Sequence, residues 1–176
     1  FIPRSVWQRM GDDFLSATEA LPYGDVTDLT NYGGAVIDER AFAKNVKAIE
    51  RAKSAANVTI AVGGEYDDSE GYFVRPTVLL SDDPGDESFS TEYFGPILSV
   101  YVYPDSDYEQ MFEIIDSGTK YALTGAVIAD DRDAVLQADT DEALERSGRD
   151  VGTPIISYTR GDTTHSFFGP VISAVP

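Results

Sequence analysis

The 176-residue chain contains no cysteine and a single histidine, His165. Without thiols, these residues cannot supply disulfides, cysteinate metal sites, zinc fingers or a cysteine nucleophile. One imidazole cannot build a multi-histidine metal site. No apolar run approaches the roughly 18 residues that a membrane-spanning helix needs. We therefore predict no catalytic cysteine, no metal site and no membrane segment in this sequence.

Basic residues are also scarce: 13 Lys and Arg face 31 Asp and Glu, which gives a net charge of −18. Such a surface repels nucleic-acid phosphates and anionic lipids, which argues against both as partners. We expect neighbouring carboxylates to raise one another's proton affinity.

The sequence starts at Phe1, and no basic segment followed by an apolar one marks a signal peptide, so we expect a cytoplasmic protein cut from a larger one.

Ordinary proportions of hydrophobic (42%) and charged (25%) residues indicate a globular chain of one domain or two small ones. Hydrophobic spacing predicts helices and strands in alternation, which favours a parallel or mixed sheet covered on both faces. The predicted helices are 3–20, 38–54, one beginning after Pro104, and 132–146. The predicted strands are 57–62, 72–80 (with Pro76 as an edge or break), 97–103, 122–129 and 153–158. The predicted core is Phe42, Val46, Ile49, Val78, Leu98, Val100, Val102, Ile115, Val127, Ile128 and Ile155.

Most local motifs favour ordinary structural interpretations over chemistry. The acidic loops at 82–87 and 105–109 do not match the spacing of a calcium loop. His165 has no nucleophile elbow nearby, which argues against a hydrolytic triad. Gly33-Gly34 follows no strand, and Gly63-Gly64 opens an acidic turn, so neither favours phosphate binding.

The segment Glu92-Tyr93-Phe94-Gly95-Pro96 places a carboxylate and aromatic rings directly before a predicted strand. Ligands of α/β proteins collect at the mouths of strands, so this segment is a candidate binding site. A tight turn around a packed Phe94 is the simpler interpretation of the residues alone.

Five stretches, in this order, resemble the catalytic domain of the aldehyde dehydrogenase superfamily over residues 1–140. The resemblance is greatest to its proline-catabolic branch, the L-glutamate γ-semialdehyde dehydrogenases. The stretches are Phe1 to Trp7, Gly34 to Phe42 (GAVIDERAF), Gly71 to Thr77, Glu92 to Ile97 and Tyr121 to Val127.

The resemblance implies a three-layer α/β/α sandwich with a mixed, mostly parallel sheet. In the family this domain packs against a separate NAD-binding Rossmann domain, a cysteine attacks the aldehyde, and hydride passes to NAD. The family's glutamate at the position of Glu92 binds the nicotinamide ribose hydroxyls, and its phenylalanine at Phe94 lies beside the nicotinamide. A carboxylate suits this role because it accepts two hydrogen bonds at once.

The chain also departs from the family pattern. The family's cysteine precedes the position of Phe1, and its Rossmann domain has no counterpart here. We therefore expect a single domain over 1–176 with no catalytic residue, in which no cofactor, NAD included, binds tightly. Beyond about residue 145 the match fades, which leaves 146–176 as a divergent segment. Within it, Phe168 is the one candidate substrate contact, and Asp162 would repel a carboxylate substrate.

Three hypotheses follow from these departures. The chain is an inactive fragment of the dehydrogenase, one part of a split enzyme completed by another chain, or a binding or scaffold domain whose interface is 146–176. The expected partner is the missing NAD-binding domain or another protein chain, with a homo-oligomer as the alternative. We expect the face around Phe94 to be repacked by the tail near Phe167-Phe168 or used for self-association.

Overall fold

The computed structural model describes residues 1–118, 133, 155–160 and 163–168. They belong to two compact units, Phe1–Tyr108 and Glu109–Pro176. The helices of the first unit are α1 (Arg4–Glu19), α2 (Glu39–Ser54) and α3 (Glu87–Ser90). Its strands are β1 (Ile2–Pro3), β2 (Val58–Val62), β3 (Tyr66–Asp67), β4 (Phe73–Val74), β5 (Thr77–Ser81) and β6 (Ile97–Tyr103).

The two long helices form where the hydrophobic spacing predicts them. Asp38 is the N-cap of α2, and its Oδ1 accepts a hydrogen bond of 2.8 Å from the backbone N–H of Ala41. The start of α1 was predicted one residue too early. Pro3 has an extended backbone, with ψ of 143°. It belongs to β1 and pairs with Tyr103 of β6.

The main sheet has the strand order β1-β6-β5-β2. Strands β1, β6 and β5 are parallel, and β2 is antiparallel to β5. Pro76 breaks the predicted strand 72–80 into β4 and β5 and does not mark an edge, because β5 lies between β2 and β6. Gly63 and Gly64 end β2 as predicted, both with positive φ.

The two faces of the sheet are covered by different helices. Trp7, Phe14 and Leu15 of α1 pack against a cluster of Val62, Val78 and Val100. On the opposite face, Phe42 and Ile49 of α2 pack with Val74, Ile60 and Ile97. These layers confirm the predicted α/β/α sandwich with a mixed, mostly parallel sheet.

Two predicted core residues are wrong. Leu98 is 50% exposed because it lies near the start of β6, outside the cluster that α1 covers. Ile115 is 45% exposed, since helical spacing fixes a face but not how far along the helix a neighbour covers it. Phe42, Ile49, Val78 and Val100 are buried, and Val46 and Val102 are partly buried. Val127 and Ile128 lie outside the described residues, and for Ile155 only the backbone is described.

A 3-10 turn (Asp105–Asp107) leads into α4 (Tyr108–Gly118), at the boundary between the units. In the second unit, β7 (Ile155–Arg160) pairs with β8 (Thr163–Phe168) as an antiparallel hairpin, with Ile155 opposite Phe168. The sequence predicted a strand at 153–158 but not β8. The predicted strand 122–129 and all of helix 132–146 except Asp133 lie outside the described residues.

Candidate functional site

The segment Thr91–Pro96, which we call the clamp segment, joins α3 to β6. Its side chains alternate: Glu92 and Phe94 are exposed, and Tyr93 between them is buried. The segment precedes the amino end of β6, whereas ligands of open α/β sheets bind beyond the carboxyl ends of strands. That general rule therefore does not explain a site at this segment.

Phe94 has an unusual backbone and an unusual exposure. Its φ is +56°, in the left-handed region that a bulky residue rarely adopts, and its side chain is 80% exposed. A packed phenylalanine would offset the backbone strain with buried area, but this one does not. Strain at an exposed aromatic residue is typical of functional sites. The interpretation of Phe94 as a packed turn residue is therefore wrong.

The N-terminal half of α2 holds the backbone of the clamp segment. Lys44 Nζ donates a hydrogen bond to the carbonyl oxygen of Glu92. Asn45 is fully buried, and its Nδ2 donates to the carbonyl oxygen of Ala41 at 2.8 Å, which fixes the amide within the helix. Gly95 lies directly against that amide. Two consecutive residues of α2 thus contact the segment on either side of Phe94.

Asp86, which precedes α3, is the centre of a polar network. Arg51 Nη1 and Nη2 donate to its two carboxylate oxygens at 3.0 and 2.7 Å, and Asn57 Nδ2 donates at 3.1 Å. The backbone N–H of Ser88 donates to Asp86 Oδ1 at 2.9 Å, so Asp86 also caps α3. Burial alone raises the pKa of Asp86, but these hydrogen bonds outweigh it and hold the pKa far below its ordinary value.

Tyr93 is buried beside this network. Burial raises the pKa of its phenol, and the positive charge of Arg51 opposes that change. The Tyr93 hydroxyl and Arg51 Nε are both buried without a hydrogen-bond partner among the residues that the structure describes.

Phe1 approaches the same region from the other end of the chain. Its ring centroid lies 5.3 Å from that of Phe89 in α3 and 5.9 Å from that of Tyr101 in β6. Phe89 is three residues before Glu92 in the sequence. The first residue of the chain and the clamp segment therefore border the same short helix.

Two other candidate residues belong to the second unit. Phe168 ends β8 in the second unit, and His165 lies opposite Tyr158 in the same hairpin. Within the described part of the chain, no three His, Cys, Asp or Glu side chains form a group that could hold a metal ion. No described helix is both long enough and apolar enough to cross a membrane.

The expected mutual effect of neighbouring carboxylates does not set the direction of the pKa shift at Asp25, Asp28 or Asp67. The pKa of each is lowered, because each carboxylate accepts hydrogen bonds from the residue two positions later. The charge of Asp28 by itself raises the pKa of Asp25, but this effect is weaker than that of the local hydrogen bonds. These three carboxylates are therefore held by their own turns.

The sequence suggested Glu92 and Phe94 as candidates but did not indicate the residues that contact or precede their segment: Lys44, Asn45, Arg51 and Asp86. Asp86 belongs to a run of acidic residues from Asp82 to Glu87, in which nothing distinguishes a buried carboxylate from its solvated neighbours. Lys44, Ala48 and Arg51 follow one another at helical spacing. This spacing was the one feature of the sequence that indicated a shared face of α2 for the two basic residues.

The family model of the aldehyde dehydrogenase family matches residues 1–149. The chain belongs to the aldehyde dehydrogenase family. Its solved relatives include the Δ-pyrroline-5-carboxylate dehydrogenase of Mycobacterium tuberculosis, at 62% identity and a TM-score of 0.79, over 98% of this chain and 30% of that one. The same enzyme bound with NAD matches at 60% identity and a TM-score of 0.77, over 100% of this chain and 29% of that one.

Curated relatives agree with this assignment. The mitochondrial Δ1-pyrroline-5-carboxylate dehydrogenase of Homo sapiens is 42% identical over 139 residues, which are 78% of this chain and 25% of that protein. An aldehyde dehydrogenase from Bacillus cereus, at 22% identity and a TM-score of 0.73, shows the fold alone. The chain thus spans between a quarter and a third of the length of these relatives, and residues 150–176 lie outside the family match.

Proposed function

We propose that this chain supplies the cofactor-facing part of an aldehyde dehydrogenase domain, in an enzyme that oxidises L-glutamate γ-semialdehyde with NAD. The observation that carries the proposal is the clamp segment, where a strained, 80% exposed Phe94 stands two residues from an exposed Glu92. The relatives named Δ1-pyrroline-5-carboxylate dehydrogenase support the substrate class.

The residues present fit the nicotinamide half of NAD. The Glu92 carboxylate is exposed and can accept hydrogen bonds from both hydroxyls of a ribose. The exposed ring of Phe94 offers an apolar face beside it, against which a flat nicotinamide ring can lie. When bound, NAD supplies the hydride acceptor. The roles of Glu92 and Phe94 are to bind the ribose and to orient the ring.

The nucleophile has to come from outside these 176 residues, because they contain no cysteine. The family resemblance places that cysteine a few residues before the position of Phe1. The contact of Phe1 with Phe89 supports this arrangement, since a residue preceding Phe1 would begin close to the helix that leads into the clamp segment. We propose that the chain alone has no dehydrogenase activity.

One experiment tests the assignment of activity. The chain is assayed alone and fused to the amino-terminal part of the M. tuberculosis enzyme, with NAD and L-glutamate γ-semialdehyde. We expect no turnover alone and turnover in the fusion. Turnover by the purified chain alone would contradict the proposal of inactivity, and a folded fusion without turnover would contradict the proposed function.

A second experiment tests the cofactor contacts. NAD is titrated into the isotope-labelled chain, and NMR shifts are followed at the clamp segment. We expect saturation only in the millimolar range, because one ribose contact and one ring contact offset little of the cost of immobilising the ligand. Glu92→Gln should weaken binding further, and Glu70→Gln, an exposed glutamate in the turn between β3 and β4, is the matched control. Micromolar binding would show a complete cofactor site within this chain.

A further inference from the structure

The clamp segment makes few hydrogen bonds of its own. The backbone N–H of Thr91 donates to Glu87, that of Ile97 donates to Gly95, and the Pro96 carbonyl accepts from Thr77. From Glu92 to Phe94, the described backbone hydrogen bond is the one that Lys44 Nζ donates to the Glu92 carbonyl. The directions of Glu92 and Phe94 therefore depend on what fixes the residue between them.

That residue, Tyr93, is buried, and the Arg51–Asp86 ion pair lies at the start of the short helix that precedes it. Arg51 is held in turn by Asp86 through two parallel hydrogen bonds, and the side chains of the pair are 25% and 5% exposed. A bidentate pair fixes the plane of the guanidinium as well as its position. Asp86 also caps α3, the helix that leads directly into the segment.

We propose that the Arg51–Asp86 ion pair is a positioning device for the clamp segment: it fixes the capped start of α3, from which the chain runs directly to the buried Tyr93, and thereby aims Glu92 and Phe94 outward at the cofactor. The cofactor part rests on the proposed function. Arg51 and Asp86 touch no substrate or cofactor in this arrangement, so both are positioning residues.

The chain contains a matched control for each partner. Asp38 caps α2 and pairs with Arg40 at 3.1 Å, as Asp86 caps α3 and pairs with Arg51, but Arg40 is 93% exposed. Arg51→Lys keeps the charge and removes the planar fork. Asp86→Asn keeps an N-cap and removes the charge. Arg40→Lys and Asp38→Asn make the same chemical changes at the exposed pair.

The readout is the backbone order parameter of Tyr93, Phe94 and Gly95 from NMR relaxation of the 176-residue chain. We expect about 0.85 in the unmodified chain and in both control variants, and below about 0.6 in Arg51→Lys and Asp86→Asn. The order parameters of β5 and β6 should not change in any of them. Unchanged values at 93–95 in folded Arg51 and Asp86 variants would overturn the proposal. A loss of signal dispersion across the whole chain in both would also overturn it, because the pair would then serve the entire fold.

NAD titration of the same variants separates this inference from the proposed function. If the unmodified chain binds NAD, Arg51→Lys should weaken binding about tenfold, because a small displacement of contact groups costs affinity steeply. Unchanged affinity despite a loosened segment would overturn the link to the cofactor. If the unmodified chain binds no NAD at all, the cofactor part of this inference fails while turnover of the fusion still decides the proposed function, and the order parameters decide whether the pair positions the segment.

Discussion

Gly95 lies against the buried side-chain amide of Asn45, so closely that a Cβ at residue 95 would stand 2.0 Å from Asn45 Oδ1. The amide cannot move away easily, since its Nδ2 is bonded to the Ala41 carbonyl and Asn45 is fully buried. The clamp segment can therefore approach α2 only through a residue without a side chain. This contact explains why glycine follows the strained Phe94.

Gly95→Ala should destabilise the chain by about 2 kcal/mol or more, because overpacking against a buried side chain forces a backbone shift. Urea unfolding measures the change. Gly118→Ala is the control: a Cβ there meets no atom of the described residues within 4 Å, and alanine favours helix, so it should be neutral or slightly stabilising. Equal stabilities for the two variants would show that the segment does not rest on Asn45.

Phe94→Asn should stabilise the chain by about 0.5–1 kcal/mol, because asparagine tolerates the left-handed backbone that phenylalanine adopts under strain. The exposed ring contributes little packing that would be lost. Phe94→Ala removes the ring but keeps the backbone penalty, and it should leave the stability nearly unchanged. Thermal unfolding of the two variants distinguishes these effects, and a lower stability of Phe94→Asn than of Phe94→Ala would contradict the strain.

Asp86→Asn should cost about 2–3 kcal/mol at pH 7, somewhat less than a fully buried pair, because Arg51 is a quarter exposed. The pKa of Asp86 is lowered in the folded state, so its stabilisation is fully present above the unfolded-state pKa near 4 and is lost as the pH falls. The stability difference from the unmodified chain should shrink by about 1.4 kcal/mol per pH unit below about pH 4. Urea unfolding at pH 7, 4 and 2.5 measures it, and a pH-independent difference would show that the charge of Asp86 does not matter.

Tyr103 makes the chain sensitive to alkaline pH. Burial, together with the nearby Tyr108 and Asp105, raises the pKa of its phenol to about 12. The folded state holds this proton more tightly than the unfolded state, so stability falls as the pH rises from about 10 towards 12, by up to about 1.4 kcal/mol per unit. Tyr103→Phe should remove this part of the slope, and Tyr32→Phe, at an exposed tyrosine, should leave the slope as it is. Chemical unfolding between pH 9 and 11.5 tests both.

Local sequence patterns predicted α1, α2, β2, β6 and the stretch that forms β4 and β5, but not β1, β3 or α3. The stripe of Phe42, Val46 and Ile49, with Asp38 before it, was enough to predict α2 and its cap, since helix periodicity and capping act within a few residues. The strand at 97–103 and the glycines that end β2 followed in the same way. The family motif at Glu92 and Phe94 was likewise readable along the chain.

Contacts between distant residues were not readable in this way. Leu98 and Val100 are two residues apart in β6 and therefore point to the same face of the sheet, yet only Val100 lies where α1 covers that face. Asp86 is one acid among several in its loop, and only the approach of Arg51 from 35 positions away makes it a buried partner. Local patterns along the chain specify the two long helices, the longer strands of the first unit and the chemical groups of the clamp segment. Tertiary structure alone decided which charge is buried and which ring is left exposed, because burial and pairing depend on where separate elements pack and not on the order of neighbouring residues.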